Sequence, residues 1–121
     1  MAYAGKGMYD RAISITQELR KIPAFAAYLG YIYGKAGKRE EAQKILDDFL
    51  DRSKRGYFSP YMIAQVYSGL GEKDQVFEWM GNAYEVQDPT QWMIKVDPLF
   101  TDLHSDPRWT EQIKKRGLAD Q

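Results

Sequence analysis

The sequence predicts an all-α protein built from stacked helical hairpins. Three observations carry that prediction. The stretch from Leu29 to Ala42 reads as the end of one helix, a Gly turn and the start of a second. The stretch recurs: Gly30 returns as Ala64, Tyr33 as Tyr67, Gly37 as Gly71, Ala42 as Val76 and Leu46 as Met80, every pair 34 positions apart. A fixed period of this size marks a helical repeat array. Apolar residues also fall at i, i+3, i+4 and i+7, the spacing of one helix face.

In chain order, Tyr3-Ala4-Gly5-Lys6-Gly7 copies the Tyr and last Gly of Tyr33-Gly34-Lys35-Ala36-Gly37, so the chain is expected to open inside a mostly missing first helix. A helix from about Tyr9 to Arg20 follows, with Ala12, Ile15, Thr16 and Leu19 on one face. Pro23 suits the first turn of the next helix, where a missing N–H costs nothing, and that helix covers about 23–35. Gly37 breaks the chain, and Lys38 to about Arg52 forms the partner. Ala42, Ile45, Leu46, Phe49 and Leu50 make its stripe, and its other face is dense in charge of both signs, read as a solvated surface with i,i+4 pairs. Ser59-Pro60 signals another start. Ile63, Ala64, Val66, Tyr67 and Leu70 are the interior of a helix over 60–70, and Gly71 turns the chain into a partner from Asp74 to about Val86. Val76, Trp79, Met80, Ala83 and Tyr84 repeat the earlier stripe position by position.

The periodicity then breaks, because Pro98 stands where the next small residue would fall, and a helix interior rejects it. Asp-Pro occurs three times instead, at 88–89, 97–98 and 106–107. Asp caps an N-terminus and Pro takes the first helical position. Three short helices are therefore expected, about 89–95, 98–103 and 107–116, with Gly117 as a stop. They would cover the open end of the array. The whole is read as one domain: a partial repeat 1–22, repeats 23–56 and 57–90, and a capping tail 91–121.

Composition narrows the function. The 121 residues hold 17 basic and 17 acidic side chains, so the formal net charge is zero. Nucleic-acid or anionic-membrane binding needs a positive excess, so neither partner is expected. There is no Cys, hence no disulfide, thiol nucleophile or thiolate metal site. No apolar run is long enough to span a bilayer and no signal peptide is visible, which suggests a cytoplasmic setting. His104 is the single His. Asp102 and Asp106 read as caps or exposed polar residues, so no metal is expected. The serines stand in no nucleophile motif, and Gly5-Lys6-Gly7 lacks the pattern of a phosphate loop. No cofactor and no catalysis are expected.

The residues Leu29, Gly30, Tyr33, Ala42 and Leu46, then Ile63, Ala64, Tyr67, Gly71 and Ala83, resemble the tetratricopeptide repeat (TPR) family. Phe49 and Val76 depart from its usual Ala, and its first-helix Trp is absent, with Ala26 and Pro60 standing there. The resemblance implies a right-handed superhelix of antiparallel helix pairs, and a non-catalytic protein or peptide interaction module. It also implies a concave groove lined by the first helix of each pair. The family's ligand positions fall here on Ala27, Tyr28, Tyr31 and Lys35, then on Tyr61, Gln65 and Ser68, with Phe58 at the rim. Only Lys35 is cationic, so a clamp for an acidic C-terminus is not expected, and the groove should take an apolar or mixed peptide or a helix. The tail is similar to the end of many bacterial repeat proteins, so a fragment or terminal domain of a larger regulatory or scaffold protein is expected. The alternative is a structural or oligomerising segment with no groove ligand. The incomplete first hairpin predicts homodimers through residues 3–20.

Overall fold

A computed structural model describes residues 18–19 and 21–118. The expected helix over 9–20, the partial repeat 1–22 and the self-association surface 3–20 lie outside the described residues, apart from the helical pair Glu18 and Leu19 and from Lys21 and Ile22. The described chain is all-helical. Four α-helices come first: α1 (Pro23–Lys35), α2 (Arg39–Arg55), α3 (Pro60–Leu70) and α4 (Lys73–Glu85). Two 3-10 helices (Pro89–Met93 and Pro98–Leu103) and α5 (Pro107–Lys115) follow. Among the described residues no helix is long and apolar enough to cross a membrane.

The helix ends obey local chemistry. Pro23 and Pro60 open α1 and α3. The Ser59 hydroxyl accepts from the Met62 N–H, the orphan donor of the first turn. Gly37 and Gly71 take φ of 82° and 77°, the left-handed region that glycine enters at no steric cost. Each lets the next N–H reach back across the turn, Lys38 to the Tyr33 carbonyl at 2.8 Å and Glu72 to that of Tyr67 at 3.1 Å. The end of α4 has the same shape without a glycine: Asp88 N–H meets the Ala83 carbonyl at 2.9 Å while Gln87 sits at φ 56°. On the charged face of α2, Asp48 pairs with Arg52 at 3.1 Å and Asp51 with Arg55 at 2.7 Å, one turn apart.

α3 is the central element: α1, α2, α4 and the second 3-10 helix all pack on it. Tyr61, Ile63, Ala64, Val66 and Leu70 are all buried, so it is apolar on two sides. Ile63, Val66 and Leu70 join Ala42, Ile45, Leu46 and Phe49 of α2 in one core. Tyr61 and Ala64 join Val76, Met80, Ile94, Phe100, Leu103, Trp109 and Ile113 in a second. Tyr67 and Trp79 touch both cores.

α1 and α3 lie side by side and run the same way, since Gly30 faces Val66 and Gly34 faces Gly69. Their closest approach is between backbones. A Cβ on Gly34 would lie 2.5 Å from the Gly69 carbonyl carbon, and one on Gly69 would lie 2.5 Å from the Tyr31 Cα. The period alone marks Gly30 as the small position, but Gly30 faces side chains, the nearest a Val66 methyl 2.9 Å from a built Cβ.

The tail keeps the period in position though not in helix type. The second 3-10 helix packs on α3 and α5 packs on α4, and α5 starts 34 residues after α4. Phe100, 34 residues after Val66, shares a core with Ala64, 34 after Gly30. The expected break at Pro98 is thus a break in backbone form. Pro98 forbids a continuous helix, so a short 3-10 helix carries the covering side chain instead. Asp88, Asp97 and Asp106 cap the three tail helices by accepting from the N–H two residues on, at 3.0, 2.9 and 2.9 Å. Arg108 ties α5 to α4, reaching Asp74 at 2.8 Å and lying 4.5 Å from the Phe77 ring.

Candidate functional site

The faces of α1 and α3 that line the expected groove meet the tail. Ser68 donates to the Leu99 carbonyl at 2.6 Å. Tyr61 and Gln65 donate to one oxygen of Asp97, at 2.6 and 2.8 Å. Lys35 pairs with Asp102; this bond raises the Lys35 pKa and holds Asp102 below the usual carboxylate range. The Tyr61 ring meets Phe100 edge-on, with centroids 5.4 Å apart. Burial, and after it the bond to Asp97, push the Tyr61 phenol well above its ordinary pKa, so it remains a donor. Four of the eight expected groove residues therefore hold the chain's own Asp97–Asp102 segment.

The other four divide. Ala27 and Phe58 are buried in the first core, with the Phe58 and Phe49 ring centroids 4.4 Å apart, and neither lines the cleft. Tyr31 is half-buried where Gly69 crosses it. Tyr28 is 49% exposed and lines an open cleft of about 350 Å³. Ala24 and Tyr28 of α1 form one wall, Tyr61, Met62 and Gln65 of α3 the floor, and Thr90, Met93 and Val96 to Leu99 the far wall. Sequence reasoning missed Met62, although it stands 34 residues after Tyr28 and follows from the same rule. It could not have found Met93, Val96 and Asp97, which come from a segment outside the helical register.

The tail is fixed over the groove. Phe100, Leu103, Trp109 and Ile113 are buried. Burying one such side chain is worth about 1.5–3 kcal/mol, so lifting the segment would cost on the order of 8 kcal/mol. The polar contacts add to that. Asp88 is 1% exposed and accepts from Ser59 at 2.6 Å, the Tyr61 N–H at 3.2 Å and the Thr90 hydroxyl at 2.7 Å. Burial alone would raise its pKa, but the bonds from Ser59, Thr90 and Tyr61 together hold it below the usual range. Arg116 is buried at the end of α5 and donates to Gln91 at 2.8 Å, Gln112 at 2.7 Å and the Met80 carbonyl at 2.8 Å. Burial pulls its pKa down from the ordinary value.

The cleft is roofed on one side by the chain itself. Its wall is mostly methyl, thioether and ring surface. Volumes of about 300 Å³ and above are the range in which pockets take ligands. No protein-family model, curated protein or solved structure matches the chain.

Proposed function

We propose that the chain is a non-catalytic, TPR-like interaction module that takes a partner's peptide in the cleft between α1, α3 and the 93–99 segment. The carrying observation is the cleft itself: about 350 Å³ of mostly apolar surface with Tyr28, Met93 and Val96 exposed around it. Exposed apolar surface gathered in one place tends to find a partner. The parallel packing of α1 and α3, with contacts near the 34-residue period, supports the superhelical repeat reading. Tyr61, Gln65 and Ser68 already grip a segment in cis by side chain and by backbone, which is the chemistry a trans peptide would need. A cytoplasmic setting belongs to the same proposal.

The second reading, a structural segment with no groove ligand, is favoured by the tail contacts that use Lys35, Tyr61, Gln65 and Ser68 internally. An array of immobilised 12-residue peptides separates the two. The module should bind a related subset of peptides, and Tyr28→Ala combined with Met93→Ala should lose that subset while melting as the parent does. An array with no binders, or one whose binders survive the double substitution, would leave the structural reading standing.

A further inference from the structure

One polar group around the cleft carries a charge without a counter-ion among the described residues. Asp97 lines the cleft and is 8% exposed. Its carboxylate accepts three hydrogen bonds, from Tyr61, Gln65 and the Leu99 N–H. Those bonds come from neutral donors. Among the described residues it forms no ion pair, in contrast to Asp102 with Lys35 and Asp106 with Arg108. The nearby cations are committed elsewhere: Lys95 to the Leu118 carbonyl at 3.0 Å, and Arg116 to Gln91, Gln112 and Met80.

The neighbours add to the negative field. Asp88, also without an ion pair among the described residues, takes the Tyr61 N–H and the Thr90 hydroxyl proton. Thr90 lines the cleft, and with its proton turned to Asp88 its oxygen has lone pairs left to accept with. Gln65 spends an amide N–H on Asp97, which leaves its carbonyl oxygen as an acceptor. Among the side chains of the cleft, the Tyr28 hydroxyl and the far N–H of Gln65 are the remaining donors. The cleft thus pairs an apolar wall of Ala24, Met62, Met93 and Val96 with a largely buried carboxylate and the neighbouring acceptors of Thr90 and Gln65.

We infer that the occupant of this cleft is a basic side chain, arginine or lysine, with an apolar neighbour on the partner peptide. The hydrocarbon stem would lie on Met62, Met93 and Tyr28, as long cationic side chains cover apolar surface while keeping the head polar. The cationic head would sit against Asp97, where a charge-assisted hydrogen bond is stronger than in open water. An acidic residue is excluded by the same charge. This inference rests on the peptide-binding reading above and names its chemistry.

The test uses three end-blocked fluorescent nonapeptides of alanine and leucine that differ only at the central position: arginine, glutamine or glutamate. Anisotropy titrations on the full chain should rank arginine first, by about tenfold over glutamine, with glutamate weakest. The preference should shrink as salt rises. Asp97→Asn should erase the preference for arginine over glutamine. Because Asp97 also caps a helix, Val96→Lys is the second arm. Val96 is 76% exposed, so the fold should tolerate the change, and the new cation should compete with the peptide's arginine. Equal binding of all three peptides would overturn the cation assignment and leave the peptide-binding reading intact. An arginine preference that survives in both variants would overturn the role of Asp97. No binding by any of the three would sink both readings.

Discussion

The two helical hairpins carry the same residue pattern but differ in what lies against them. On α1, Gly30 and Gly34 face α3, and the contact at Gly34–Gly69 is backbone on backbone. On α3, the residues 34 later, Ala64 and Ser68, face the tail, and Ser68 reaches it through a hydrogen bond to the Leu99 carbonyl. The first junction is made by shape alone, and the second adds specific polar bonds to an apolar core. A regular helix can be matched to a regular helix by small residues alone. An irregular segment has unpaired backbone groups, and each needs a specific partner when buried. That is why Asp88, Asp97 and Ser68 cluster at the second junction.

Substitutions can break this contrast at either end. Gly69→Leu should cause the largest loss, at or beyond the upper end of the about 1–3 kcal/mol typical of overpacking, because the new Cβ meets Tyr31 backbone that cannot rotate away. Gly30→Ala should cost clearly less, since the Val66 methyls it meets can shift. Chemical denaturation of the two variants checks the order, and equal losses would put the closest approach in the wrong place.

Asp88→Ala should come next, at about 2 kcal/mol, because it leaves the buried Tyr61 N–H and the part-buried hydroxyls of Ser59 and Thr90 without their acceptor. The same group sets a pH dependence. Its folded pKa is lowered, so its stabilising contribution is present above the unfolded carboxylate pKa of about 3.9 and is lost as pH falls through the folded value. Melting temperature should therefore drop on acidification below about pH 4, and Asp88→Asn should flatten part of that drop.

Ser68→Ala should cost about 1 kcal/mol, the worth of one hydrogen bond whose acceptor keeps some access to water. Its mark should be local. Trp109 fluorescence should report loosening of the tail, while far-ultraviolet circular dichroism of the hairpins stays unchanged. A global loss of helix instead would show that the tail holds the hairpins together.

The smallest effect runs in the other direction. Gln87 holds the left-handed turn that Gly37 and Gly71 occupy at the equivalent ends of α1 and α3. A residue with a Cβ is disfavoured there by about 1–2 kcal/mol. The bond from the Gln87 side chain to the Tyr84 carbonyl, at 2.9 Å, offsets part of that. Gln87→Gly should raise stability by about 0.5 kcal/mol, read as a small upward shift in melting temperature.

Local chemistry wrote much of this molecule in advance. The bounds of α1 and α3 follow from Pro23, Ser59-Pro60, Gly37 and Gly71, and the three tail starts follow from Asp-Pro. Those signals act within one turn of chain, so they can be read without knowing the fold. The same holds for the apolar stripe of α2 and its charged outer face. What tertiary structure decided is where the tail goes. The carboxylate of Asp97 caps its own helix through a bond two residues away, which sequence reveals. It also takes the hydroxyl of Tyr61, 36 residues distant, which sequence does not. Long-range pairs of this kind depend on the path of an irregular backbone, and no period predicts that path. So Tyr61, Gln65 and Ser68 were legible as positions on one helix, but that the chain would supply its own segment to them was not. The remaining cleft, with Asp97 at its edge, exists only because that segment folds back and stops short of Tyr28.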